Sequence, residues 1–308
     1  MSTISIVIPC YNEEGNVAKI ANNIKDIFNT HLKDDKYEII FIDNGSTDTT
    51  HQKIKELCAS DKNIKLIINA KNYGQLVSPY YGMLQANGDA IIQMVCDFQD
   101  PPVIIPDLVD KWKKGSKMVL AVPRKTKQGF IFLKKIYYRL INFFADNNQI
   151  PNFHGFGIYD KEVQRILKEI SDKKPYFRGQ LLELNFKKDI HYYDAVDRQT
   201  GKSTNNFHTL YSVAIEGLVS TSVLPFKLIT LIGFLSSIII FLLILFKFVI
   251  GILNISLLNS ELSFIALSIL LFSSVQLLFL GLIAEYFLIN QAKNQNMPMV
   301  VEKERINF

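Results

Sequence analysis

Three apolar, strand-like runs in this chain end in loops rich in oxygen ligands. Residues 90–102 read AIIQMVCDFQDPP and deliver Asp97, Gln99 and Asp100 at the carboxyl end of the run. Residues 5–14 read SIVIPCYNEE and residues 37–50 read YEIIFIDNGSTDTT. Carboxylate and amide oxygens in such loops suit a hard divalent cation, and that cation can hold phosphates in turn. Pro9, Cys10, Tyr11, Asn12 and Glu13 leave a strand with an aromatic face and a carboxylate, suited to a base and ribose. Asp43 can accept a hydrogen bond from a base N–H, Gly45 and Ser46 permit a tight backbone approach, and Asp48 suits the cap of the next helix. Open α/β sheets bind ligands just outside the carboxyl ends of their strands. The three loops therefore imply one shared site for a nucleotide-activated substrate.

The elements that must position these loops alternate along the first 122 residues. Strands are predicted at Ser5–Pro9, Tyr37–Asp43, Ile64–Asn69, Ala90–Cys96 and Met118–Val122. Helices are predicted at about 14–31, 47–59, 75–86 and 102–114, the last with Pro at its start, where the missing N–H costs nothing. This order argues for a mostly parallel, doubly wound sheet. Further on, residues 130–144 (FIFLKKIYYRLINFF) place Lys134, Lys135 and Arg139 among aromatics at helical spacing. That pattern fits either a membrane-surface helix or a core-packing helix with a solvated basic edge. Residues 176–206 read as strand and loop, and residues 207–223 as an amphipathic helix.

Two stretches stand apart. Residues 228–246 and 262–284 carry no charge over 19 and 23 residues, and about 20 apolar residues span a bilayer's hydrocarbon core. Both read as membrane helices, which puts the two ends of the chain on one side. Lys247 lies on the intervening loop, whereas Lys227, Lys293, Lys303 and Arg305 flank the other side, so the positive-inside tendency favours cytoplasmic termini. The net charge of +5 fits an anionic membrane face or phosphate-bearing substrates. No basic patch interleaved with aromatics points to nucleic acid. Cys10, Cys58 and Cys96 lack metal-ligand spacing and read as small buried hydrophobes in a reducing compartment.

The ordered motifs PCYNEEGN at 9–16, FIDNGSTDTT at 41–50, KNYG at 71–74, NGDAIIQM at 87–94 and CDFQDPP at 96–102 resemble family 2 glycosyltransferases. With the two apolar stretches, the chain is similar to the polyprenyl-phosphate branch of that family, which includes dolichyl-phosphate mannose synthase and bacterial undecaprenyl-phosphate glucosyltransferases. The resemblance implies a Rossmann-like glycosyltransferase A-type α/β domain at 1–206 and a juxtamembrane amphipathic helix at 207–227. Two transmembrane helices at 228–289 and a cytoplasmic tail at 290–308 follow. A location in the inner membrane and a homo-oligomer fit the same branch.

The resemblance also implies an inverting transfer of one sugar from a UDP- or GDP-linked donor to a polyprenyl phosphate, assisted by Mg²⁺ or Mn²⁺. Its donor site falls on Pro9, Tyr11, Asn12, Glu13, Asp43, Gly45, Ser46, Asn72, Gly74 and Asp97. The metal falls on Asp97, with Gln99 in support. Arg124, Lys127, Arg178, Arg198, Lys202 and Ser203 become acceptor-phosphate candidates, with Asp97, Arg124 and Arg198 as the catalytic set. The chain departs from the family pattern twice. Val95 stands where relatives carry a carboxylate, and Gly155 and Gly157 stand where many carry an acidic and a basic residue. A phosphate monoester has its second pKa near 6, so a lipid phosphate is mostly dianionic at neutral pH and can attack without a general base. The rival readings are transfer to another lipid acceptor, which would need a base if it were a hydroxyl, and an inactive membrane scaffold.

Overall fold

The computed structural model describes residues 1–124, 150–195 apart from 171 and 174, and 298–308, with scattered positions between 235 and 290. In chain order the elements are β1 (Thr3–Cys10), α1 (Val17–His31), β2 (Lys36–Asp43), α2 (Thr50–Ser60), β3 (Ile64–Asn69), α3 (Gly74–Gln85), β4 (Ala90–Gln93), α4 (Ile105–Lys113) and β5 (Met118–Pro123). Then follow β6 (Gly157–Asp160), α5 (Lys161–Ile170), α6 (Phe177–Glu183), β7 (Lys188–Tyr193) and β8 (Glu302–Ile306). Among the described residues the sheet runs β7-β5-β6-β4-β1-β2-β3-β8. The pairs β1–β2, β1–β4, β2–β3 and β5–β7 are parallel, and β6 and β8 pair antiparallel with their neighbours.

Central strands buried on both faces read as near-continuous apolar runs, and β1, β2 and β5 do so. Successive side chains still alternate between faces. Ile4, Ile6, Ile8, Ile39 and Phe41 pack under α1, α2 and α4. Val7, Ile40, Ile42 and Leu120 pack on the other face with Tyr80 of α3 and Val163 and Leu167 of α5. The chain winds outward from β1 through β2 to β3, then returns to β4 on the far side of β1. That reversal leaves a crevice at the carboxyl ends of β1 and β4.

Several boundaries differ from the sequence expectation, each for a local reason. Helices α1 and α2 start three residues late because Glu14, Asp48 and Thr49 are engaged in loop contacts. Glu14 accepts from the Thr49 N–H and hydroxyl, and Asp48 accepts from the Thr50 N–H. Strand β4 stops at Gln93 rather than Cys96, since Val95 N–H turns to Asp100 Oδ2 (3.1 Å) and Phe98 adopts φ +62°. A short helix, α6, forms within 176–206, where strand and loop were expected. The largest addition is β8, which brings five residues of the 290–308 tail back to the edge of the sheet.

The helices expected at 130–144 and 207–223 lie outside the described residues, and the apolar stretch 228–246 falls almost wholly outside them; about half of 262–284 is described, and those positions are helical. Among the described residues no helix is long and apolar enough to cross a membrane.

A buried ionic group ties β1, β2 and β3 together. Glu38 accepts from Ser5 Oγ, from the Asn87 N–H at 3.0 Å and from Lys65 Nζ at 2.5 Å. Burial would raise its carboxyl, but Lys65, Ser5 and Asn87 outweigh it and hold it below the ordinary carboxylate range. Glu38→Gln leaves Lys65 without its counter-charge, so we expect a loss of about 2–3 kcal/mol in urea unfolding at pH 7. Because the folded value is depressed, this contribution is present above the unfolded value near 4.3 and disappears as pH falls through the folded one. The gap between wild type and variant should therefore close at acid pH.

Candidate active site

The strand-end loops are laced into one surface. Asn12, at φ +56°, turns β1 outward, a conformation Asn tolerates better than most residues. Its N–H donates to Ser46 Oγ (2.9 Å), and its side-chain oxygen accepts from the Thr47 N–H (2.9 Å). Glu13 N–H donates to Thr50 Oγ1 (2.8 Å). The buried Glu13 carboxylate accepts from Asn16 Nδ2 at 2.6 Å, at the start of α1. Asn44 joins the next pair of loops. Its Nδ2 donates to Asn72 Oδ1 (2.9 Å), and its oxygen accepts from Asn69 Nδ2 (3.1 Å) and the Tyr73 N–H (2.9 Å). Asn72 also accepts from the Gly74 N–H (2.8 Å) where α3 begins.

Asp43 lies at the end of β2, 1% exposed, and accepts from the Ser46 N–H at 3.0 Å. With Gly45, Ser46, His51, Asn69 and Lys71 it lines a cleft of about 240 Å³. Gly45 is required there twice over. Its φ is +78°, and a Cβ would sit 2.9 Å from the Lys71 carbonyl carbon. Gly45→Ala should lower the melting temperature and weaken nucleotide binding together, with a stability cost of about 1–3 kcal/mol. Calorimetric titration with UDP and GDP beside thermal unfolding checks this, and unchanged binding would refute the close approach.

Asp97 sits in the turn after β4, 8% exposed, where its Oδ1 accepts from the Gln99 N–H (3.2 Å). The left-handed Phe98 between them makes that closure and packs its ring against the core. Bulky residues adopt such a φ only where their surroundings enforce it. Among the described residues no three His, Cys, Asp or Glu side chains gather into an all-protein metal cage. One carboxylate beside an amide suits an ion of the Mg²⁺ type, which retains waters and takes further ligands from substrate phosphates. Asp97 and Gln99 fit that role even with Val95 in place of a second acid.

The residue that sequence reasoning undervalued is Asp100. It is 1% exposed, and it does not cap a helix. Its Oδ1 lies 2.8 Å from His154 Nε2 and accepts from the Tyr193 hydroxyl at 2.9 Å, while Oδ2 accepts from the Val95 N–H. His154 comes from the loop before β6 and Tyr193 from the end of β7, so Asp100 clamps both to the Asp97 turn. Burial lowers the His154 imidazole's affinity for a proton, but the Asp100 carboxylate prevails and raises it above its ordinary value. The Tyr193 phenol is pushed up by burial and by Asp100, and so remains a donor. No motif announced the trio, because its members lie 54 and 93 residues from Asp100.

Of the cationic candidates, two are described. Arg124 follows β5 and pairs with Asp194 at 3.1 Å on the exposed surface. Arg178 opens α6, donates to the Phe153 carbonyl (3.2 Å) and lies over the Tyr176 ring. Lys127, Arg198, Lys202 and Ser203 lie outside the described residues. Gly155 and Gly157 have a steric reason here. Gly155 is at φ +112°, and a Cβ at Gly157 would meet the Val119 carbonyl oxygen at 2.4 Å. Cys10, Cys58 and Cys96 are buried and unbridged. Burial first, then Cys96 and the nearby Asp43 and Glu13, push the Cys10 thiol well up, so it is no nucleophile.

A doubly wound, mostly parallel sheet with a polar cleft at its carboxyl edge fits a Rossmann-like, glycosyltransferase A-type domain. The model of glycosyl transferase family 2 matches residues 5–167, and the chain belongs to that family. It is 30% identical over 302 residues to an uncharacterized glycosyltransferase of Bacillus subtilis, covering 96% of this chain and 92% of the relative. It is 31% identical over 240 residues to the prophage bactoprenol glucosyl transferase homolog of Escherichia coli, covering 75% of this chain and 76% of that one. The crystal structure of glucosyl-3-phosphoglycerate synthase from Mycobacterium tuberculosis, in complex with Mn²⁺, UDP and phosphoglyceric acid, superposes with a TM-score of 0.51. It is 16% identical and covers 71% of this chain and 76% of that chain, which establishes a shared fold.

Proposed function

We propose that this protein is a membrane-anchored inverting hexosyltransferase that moves one sugar from a nucleoside-diphosphate donor to a polyprenyl phosphate. The observation that carries the reading is the convergence of the Asp43 cleft and the Asp97 turn on the carboxyl edge of one sheet. The relatives described as bactoprenol glucosyl transferases support the acceptor class. Two uncharged stretches long enough to span a bilayer support the anchor. The return of β8 to the sheet agrees, since a chain that leaves after 195 and rejoins at 302 must cross an even number of times. The lysines and arginine that flank the two stretches support an inner-membrane location with a cytoplasmic catalytic domain and cytoplasmic termini.

In this scheme Asp43, Gly45 and Ser46 receive the nucleoside while the β1 loop closes against it through Asn12. Asp97 and Gln99 would hold Mg²⁺ or Mn²⁺ against the diphosphate. When bound, the ion supplies Lewis-acid neutralisation of charge on the leaving group. Arg124 and Arg178 supply guanidinium forks suited to the acceptor phosphate. The dianionic acceptor oxygen attacks the anomeric carbon opposite the leaving diphosphate, so no side chain need remove a proton. His154 does not argue for a base. Its Nε2 is held by Asp100, and its Nδ1 faces the Asn152 carbonyl at 3.4 Å. The Asp100 carboxylate raises its affinity for a proton, and both ring nitrogens face protein oxygens.

The test is transfer of label from a panel of UDP- and GDP-sugars to undecaprenyl phosphate by the full chain in detergent with Mg²⁺ or Mn²⁺. Label in the lipid fraction, lost with chelator, is the expected result and names the sugar. Saturable nucleotide binding without transfer to the lipid phosphate would overturn the acceptor assignment.

A further inference from the structure

The described residues of the tail do more than extend the sheet. In the β3–β8 ladder Ile68 faces Glu304 and Asn69 faces Glu302, so Lys303 is an extra residue without a partner on β3. Neighbouring residues on a regular strand point to opposite faces. A bulge re-aims side chains, and bulges concentrate beside functional sites. Here the bulge lets Lys303 and Glu304 both line the 240 Å³ cleft that holds Asp43, Gly45 and Ser46. Glu304 is engaged by Lys55 Nζ at 2.5 Å. Among the described residues Lys303 makes no ion pair.

The strand is anchored away from the cleft. Tyr81 of α3 donates its hydroxyl to Glu302 (2.8 Å), Arg305 donates to Gln85 (3.0 Å), and Asn307 Nδ2 donates to the Cys58 and Ile64 carbonyls (2.8 Å each). Val301 O accepts from the Ala70 N–H at 2.9 Å. None of these contacts uses the Lys303 side chain. The matched family region ends at 167, so this wall of the cleft lies beyond it.

We infer that β8 is a wall of the donor's base pocket and that Lys303 donates to a carbonyl oxygen of the base while Asp43 accepts its ring N–H. The inference rests on the nucleotide-donor reading above. A buried carboxylate beside an ammonium complements a ring N–H next to a carbonyl, which uracil and guanine share and cytosine and adenine lack. The device also makes donor affinity depend on the segment that follows the candidate membrane spans, because the tail must be docked for Lys303 to line the pocket.

The experiment is calorimetric titration of the full chain in detergent with UDP, GDP, CDP and ADP, comparing wild type, Lys303→Ala and Lys303→Arg. Wild type should prefer UDP or GDP. Lys303→Ala should weaken that nucleotide about tenfold, the scale of one charge-assisted hydrogen bond. CDP and ADP should stay as weak as before, the melting temperature should not move, and Lys303→Arg should restore most of the affinity. Unchanged UDP and GDP affinity in Lys303→Ala overturns the inference and leaves the donor reading intact. Equal loss for all four nucleotides overturns it in favour of a phosphate contact. A wild type that binds none of the four defeats both readings.

Discussion

Asp97→Asn lowers sugar transfer by on the order of 10²–10³-fold or more, the scale of losing one preorganised electrostatic contact to a developing charge, while leaving the fold in place. The amide keeps the shape of the carboxylate, and its oxygen can still accept from the Gln99 N–H that closes the turn. What disappears is a negative charge in a nearly buried position. The loss therefore falls on cation affinity and on leaving-group stabilisation. Val95 sharpens the expectation, since no second acid two residues earlier is present to hold the ion. Transfer rates titrated with Mn²⁺, beside melting temperatures, check this. A variant that retains more than a tenth of wild-type transfer at saturating Mn²⁺ would remove Asp97 from the catalytic set.

The doubly wound frame was legible because its strands are uninterrupted apolar runs and its helices carry clear periodicity. The expected strands and helices through residue 122 are all present, with ends shifted by a few residues. Those shifts occur where polar loop residues satisfy one another, as Glu14, Asp48 and Thr49 do, and no hydrophobic period encodes that. The individual strand-end residues were legible for the same reason: Asp43, Asp97 and the Asn12–Glu13 pair each follow an apolar run directly. The joints between them were not. Asn44 binding the β3 loop, Asp100 binding His154 and Tyr193, and Lys303 reaching the Asp43 cleft all join residues far apart in sequence. Pairing of β8 was hidden for a further reason. EKERI is charged at four of its five positions, as suits an edge strand exposed to solvent, and it carries no apolar alternation to mark it as a strand.

The buried position of Asp100 makes Asp100→Asn the second variant with a large expected effect. The wild-type carboxylate accepts from three donors, the His154 ring, the Tyr193 hydroxyl and the Val95 N–H. An amide offers one acceptor oxygen and must turn its NH₂ towards another donor. Leaving buried donors opposed, and His154 without its counter-charge, should cost about 3 kcal/mol in urea unfolding. Transfer should fall on the order of a hundredfold, because the Asp97 turn hangs on the same clamp. The pH dependence separates this from a generic packing defect. In the wild type His154 binds its proton more tightly folded than unfolded. Its pairing therefore stabilises fully below the unfolded value of about 6.5 and fades as pH rises through the raised folded value. The stability gap between wild type and His154→Asn should accordingly be widest near pH 5.5 and narrow towards pH 8.5. In the Asp100→Asn background, His154→Asn should cost nothing further at acid pH. Equal gaps at both pH values, or additive losses in the double variant, would show that Asp100 and His154 do not act as a charged pair.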